Sequence, residues 1–166
     1  YFAKFRIINK SSLNWDSTYI AVVSDTDIGN ASDDATGCDT LRSMGYHYNF
    51  DNNDEAGYGN NPPSVGIRLL QSPLRFTGSA SDTAKLPYDT LTGYRLVGMT
   101  THNSFKSGGC YGDPDKDTTA YYYLTGLNEC GQQMINGVTG QPTKFRYSGD
   151  ACQRTGWYDS TAGDKK

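Results

Sequence analysis

Apolar and polar residues alternate with a period of two along much of this chain, the spacing of a strand that buries one face. In residues 1–9 (YFAKFRIIN), Ala3, Phe5 and Ile7 fall on one side and Lys4 and Arg6 on the other, which predicts a half-buried strand. Asn14 to Ser24 (NWDSTYIAVVS) is rich in β-branched and aromatic residues and predicts a second. Further strands are predicted over Leu41 to Phe50, Val65 to Leu70, Gly93 to Phe105 and Thr143 to Ser148, with 65–70 short and buried and Ser72 to Thr90 an exposed excursion. Thr118 to Leu127 (TTAYYYLTGL) predicts one short helix. Asp115 to Thr118 supply N-cap candidates, and Gly126 or Gly131 ends it. The pattern gives a mainly β fold class: an antiparallel β-sandwich or jelly-roll-like module with long loops and one short helix, residues 1–166 forming a single extracellular domain. No repeat of 20 to 50 residues is visible.

Composition sharpens this picture. Nineteen Gly and six Pro among many Asn, Asp, Ser and Thr place turns between short ordered runs, while thirteen Tyr and two Trp argue for a folded core rather than disorder. The net charge of −3 comes without a Lys/Arg cluster, which argues against nucleic acid as a partner. No apolar run approaches the ~20 residues that cross a bilayer, so membrane insertion is not expected. With neither an initiator Met nor a signal peptide at its start, the sequence reads as a mature or excerpted piece of a larger protein.

The densest chemistry lies in Ser24 to Thr40 (SDTDIGNASDDATGCDT), where acidic side chains crowd around two glycines. Calcium takes six to eight oxygens, and closely spaced carboxylates repel one another unless a cation neutralises them. Asp25, Asp27, Asp33 and Asp34 are therefore candidate ligands of a structural calcium, joined by Asp51, Asn53 and Asp54 if the two loops meet. Gly29 would permit the tight turn. The loop is not an EF-hand, because it lacks a bidentate Glu at the twelfth position. Asp113, Asp115 and Asp117 repeat the alternation more weakly, and helix capping accounts for part of it.

Four cysteines (Cys38, Cys110, Cys130, Cys152) without a CxxC pair suggest two disulfides and an oxidising, extracellular compartment. His47 and His102 adjoin no nucleophile motif, so a hydrolase is a distant alternative and no catalytic residue is assigned. Tyr111, Tyr121, Tyr122, Tyr123, Trp157 and Tyr158 would suit glycans if they shared an exposed face; core packing is the other reading. Asp followed by Ser or Thr and then a small or apolar residue, or Thr, recurs with acceptor hydroxyls at Ser17, Thr40, Thr83, Thr90, Thr118 and Ser160. This resembles the O-glycan acceptor of bacteria with type IX secretion. Asn9-Lys10-Ser11 and Asn30-Ala31-Ser32 fit the general N-glycan acceptor.

The run from Ile7 to Asp39, followed in order by YHYNFDNNDEAGY (46–58), PPSVG (62–66), YYYLTGL (121–127), TKFRYSGD (143–150) and TGWYD (155–159), resembles an uncharacterised module of large secreted surface proteins from such bacteria. The resemblance covers nearly the whole chain. It implies export to the bacterial cell surface and a separate C-terminal sorting domain outside this sequence, and it places Asp25, Asp27, Asp33 and Asp34 in the acidic loop of the module. Where related sequences carry a second cysteine soon after the equivalent of Cys38, this chain has His47. Cys38 must then find a distant partner or stay free. The preferred pairing is Cys110 with Cys130 and Cys38 with Cys152, although four cysteines allow three connectivities.

The expected function is a non-enzymatic structural or adhesive surface module, such as the subunit of a surface filament, stabilised by calcium and disulfides. Its partners would be other copies or domains of the same assembly, and glycans. A carbohydrate-binding module of a secreted multidomain protein is the alternative.

Overall fold

The computed structural model describes residues 1–106 and 108–159. Strands β1 (Asp34–Asp39) and β2 (Met44–Asn49) form an antiparallel hairpin in register from Asp34 opposite Asn49 to Asp39 opposite Met44. The turn closes on Asp39, whose Oδ1 accepts the Arg42 N–H at 2.9 Å while its Oδ2 pairs with the Arg42 guanidinium. That hydrogen bond with the guanidinium holds the Asp39 carboxyl below the usual carboxylate range. Between β2 and the next long strand lies a two-residue ladder, β3 (Asn53–Asp54) with β4 (Gly59–Asn60). Strand β5 (Val65–Arg68) then returns antiparallel to β2, giving a three-stranded sheet in the order β1-β2-β5.

The remaining strands are short. β6 (Leu74–Phe76) pairs with β9 (Tyr94–Leu96), and the β7 (Thr83–Lys85) and β8 (Thr90–Thr92) hairpin is inserted between them. Helix α1 (Asp117–Thr125) follows, and β10 (Met134–Ile135) with β11 (Pro142–Thr143) closes the described part. The protein is thus mainly β with one short helix, its strands distributed over five small antiparallel sheets rather than two broad facing ones.

The helix stops where the sequence predicts. Gly126 takes a left-handed conformation (φ 87°), and the N–H of Leu127 reaches back to the Tyr122 carbonyl at 2.9 Å, satisfying an end carbonyl. The Cys110–Cys130 disulfide straps the loops on either side of α1. Tyr123 turns inward from the helix, packs at a tilt against Phe105 (4.9 Å between centroids) and donates its hydroxyl to the Gly112 carbonyl at 2.7 Å. Burial raises the Tyr123 phenol to about 12.

Four strand expectations are corrected. Residues 1–9 and 14–24 form no strand, and every side chain in 1–23 is exposed. Alternation alone does not make a strand, because its backbone groups need a partner ladder and no described segment supplies one. The strand expected at 143–148 shrinks to β11 and a single parallel bridge between His102 and Phe145, because Tyr147 turns the chain with φ 55°. At 65–70 a strand does form, but it lies exposed rather than buried.

The core is small. Among the described residues the buried apolar ones are Ile28, Ala35, Cys38, Ala84, Tyr123, Met134 and Tyr147, while 24 large hydrophobic residues are exposed, eleven of them before Ser24. The 18.2 kDa chain exposes 11480 Å², where a folded monomer of that mass exposes about 8,100 Å². Among the described residues no helix is long and apolar enough to cross a membrane.

Candidate functional site

The acidic loop enters the fold just before β1, and the loop after β2 folds against it. Asp54 is 1% exposed, yet its charge is met entirely by backbone donors. Oδ1 accepts the N–H groups of Asn30 (2.7 Å) and Ala56 (3.1 Å), and Oδ2 those of Gly57 (2.9 Å) and Tyr58 (2.5 Å). These bonds, that from Tyr58 foremost, hold the Asp54 carboxyl below its ordinary range. Gly29 makes room for this arrangement. At φ +77°, an added Cβ would sit 2.1 Å from Asp54 Oδ2. The two loops therefore meet at the Asn30 N–H, with Asp54 as a hub for N–H donors.

The other candidate ligands are divided. Asp34 Oδ2 accepts the Ile28 N–H at 2.9 Å, and Asp33 Oδ2 accepts the Asn49 side-chain amide at 2.7 Å, leaving Asp33 Oδ1 buried without a hydrogen-bond partner. Asp25, Asp27 and Asp51 are exposed; Asp51 Oδ1 accepts the Asn53 N–H, and Asn53 donates to Glu55. Among the described residues no three of His, Cys, Asp and Glu form a group that could hold a metal ion. At Asp34 and Asp54, backbone N–H groups occupy carboxylate lone pairs that a cation would otherwise take. The weaker trio is likewise spread over exposed positions around the start of α1, where Asp117 Oδ1 accepts the Thr118 N–H.

A second locus lies on the sheet face formed by Met44, Tyr46 and Tyr48. Gly37, opposite Tyr46 in the register, leaves space for the ring, since a Cβ there would come within 2.6 Å of it. The face floors an open groove of about 850 Å³, walled by Phe50, Asp51, Asn52 and the 148–152 loop and reaching Ser64, Val65 and Gly66 of the β5 region. The Tyr46 hydroxyl donates to the Gly149 carbonyl (3.4 Å), and that of Tyr48 to the Asp159 carbonyl (3.2 Å). Burial raises both phenols.

Cys38 and Cys152 both line this groove but remain free, so the second bridge expected from the sequence is not formed. Cys38 is 2% exposed and donates its thiol to the Arg146 carbonyl at 3.5 Å. Burial pushes that thiol up to about 12, which keeps it protonated and a poor nucleophile at neutral pH. The same carbonyl lies 2.9 Å from His102 Nδ1. Burial lowers the His102 imidazole, and His47 is close enough for its charge to act in the same direction.

Arg146 organises the surroundings of these groups. Its guanidinium lies 3.8 Å from the Tyr111 ring centroid and 4.8 Å from that of Tyr147, and it donates to the Ser104 carbonyl and the Tyr147 hydroxyl. Beside it, Lys106 pairs with Asp159 at 3.5 Å, both nearly buried. Sequence reasoning missed this cation-aromatic cluster, which brings 104–111 and 159 to the Arg146-Tyr147 pair.

The six aromatic residues singled out for glycan contact are dispersed. Only Tyr121 among them is exposed, touching Tyr19 edge-on, while Tyr111 lies under Arg146 and Trp157 against Tyr147. Ser17, Thr40, Thr83, Thr90 and Thr118 are all exposed, as an acceptor hydroxyl must be; Ser160 lies outside the described residues. Asn9 and Asn30 each fold back to accept both the N–H and the hydroxyl of the serine two residues on.

In comparisons with known proteins, no family model, no curated protein and no solved structure matches this chain.

Proposed function

We propose that this protein is a non-enzymatic structural module of an extracellular surface assembly, a subunit whose exposed apolar surface is covered by neighbouring copies. The observation that carries the reading is the surplus of surface: roughly 3,000 Å² beyond a monomer of this mass. A surplus of that size falls in the range that obligate assemblies bury. The small core points the same way, since eleven large hydrophobic residues stand exposed in the first 23 positions. The compartment rests on the Cys110–Cys130 bridge, which persists in oxidising surroundings.

A second reading, a carbohydrate-binding module, is favoured by the groove over Tyr46 and Tyr48, where aromatic rings adjoin Asp and Asn side chains.

Sedimentation velocity over a wide concentration range separates the two. The structural reading expects multimers that grow with concentration. A chain that stays monomeric and is retained on a polysaccharide, with retention lost in Tyr48→Ala, would replace it with the second.

A further inference from the structure

The outer edge of β5 and residues 1–9 are each missing what the other has. In the three-stranded sheet, the β1 edge is covered: the Cys38 N–H bonds to the Tyr147 carbonyl at 3.0 Å and the Thr36 N–H to Asp159 Oδ2 at 3.3 Å. The β5 edge has no partner strand among the described residues. Leu69 N–H points inward, to the Ser43 carbonyl at 2.9 Å. By the alternation of an antiparallel ladder, the N–H groups of Gly66 and Arg68 therefore point outward. Val65, Ile67, Leu69 and Leu70 along this edge are all exposed. Exposed, unpaired edges of this kind are templates for another strand.

Residues 1–9 carry the complementary pattern. Phe5 and Ile7 alternate with Lys4 and Arg6, all are exposed, and the segment forms no strand of its own. Charge is complementary too. Before Ser24 stand three basic residues (Lys4, Arg6, Lys10) against one acid (Asp16), so the rest of the chain carries more than the whole net charge of −3. Asp51 and Asp150 line the groove that reaches Ser64, Val65 and Gly66, with Arg154 as its one basic lining residue.

We infer that residues 1–9 of one copy add as a fourth strand to the outer edge of β5 in a second copy. Backbone hydrogen bonds supply the affinity, and alternate apolar side chains the register. The contact is heterologous, because arm and edge are different surfaces, and repeating it builds an open chain of subunits. The inference rests on the structural-module reading and names its interface.

The test uses the full-length chain with a photo-crosslinking phenylalanine at position 5, mixed with ¹⁵N-labelled unmodified chain, irradiated and analysed by mass spectrometry, with light scattering on the same samples. Light-to-heavy crosslinks onto residues 64–70 are expected. Arg68→Pro, which removes an outward N–H, should weaken association by about tenfold, as loss of one or two backbone hydrogen bonds does. Should that variant misfold, Lys4→Glu combined with Arg6→Glu, placed outside every sheet, should weaken association instead. Multimers crosslinked elsewhere would overturn the inference and leave the structural module standing. Crosslinks onto the same chain's β5 in a monomer, or no association at any concentration, would overturn both.

Discussion

At the scale of single residues, Gly29 and Asp54 form one device. A buried carboxylate is costly unless its lone pairs are filled, and here four backbone N–H groups fill them because a glycine lets the chain pass within van der Waals range. Gly29→Ala places a Cβ against that carboxylate and forces a left-handed alanine. A loss of about 2 kcal/mol is expected, seen as a fall in Tm of roughly 4–8 °C for a chain of this length. The carboxylate also sets a pH response. Its pKa is depressed in the folded state, so its contribution is present above the unfolded carboxylate range and is lost as the pH falls through the folded value. His102, whose imidazole is also lowered by burial, acts in the same direction, because the unfolded chain takes up its proton first. Melting temperature should thus fall on acidification, and Asp54→Ala should flatten the most acidic part of that profile. An unchanged profile would count against the hub.

At the scale of elements, α1 and β2 were legible in the sequence for different reasons. The helix carries its own punctuation in Gly126, whose left-handed backbone few other residues adopt, so local chemistry fixes its end. Strand β2 was legible because Met44, Tyr46 and Tyr48 alternate with smaller or polar positions and because partners on both sides exist. Residues 1–9 alternate as clearly and form nothing, for lack of a described partner. The acidic stretch before β1 and the segment around Asp54 were legible as a possible meeting point, but the Asn30 N–H that joins them at Asp54 comes from backbone 24 residues away. Arg146 was invisible, since Ser104 and Tyr111 join it and its neighbour Tyr147 only through the tertiary fold. The Cys110–Cys130 bridge closes a loop of about 20 residues around α1, a constraint contributing about 3 kcal/mol. Replacing both cysteines with serine should speed amide exchange across 117–125 while leaving β1 and β2 protected. Uniform loss of protection would mean that the bridge braces the whole chain.

At the scale of the whole molecule, the imbalance between core and surface decides the behaviour. Seven buried apolar residues among the described ones are few for a chain of 166, and 15 of the 24 exposed large hydrophobic residues are gathered before Ser24 and along Val65–Leu70. If neighbouring copies cover these surfaces, folding and association share one free energy, and the melting midpoint should rise with protein concentration. A midpoint independent of concentration would mean that each chain is self-sufficient.

The exposed stretch before Ser24 also gives the protein a readable history. Lys4, Arg6 and Lys10 stand in solvent on backbone without secondary structure, the form in which a trypsin-like protease accepts its substrate. A solitary chain would be clipped there, whereas one whose segment is laid into a neighbour's sheet would resist, and released fragments would count the subunits that never found a partner.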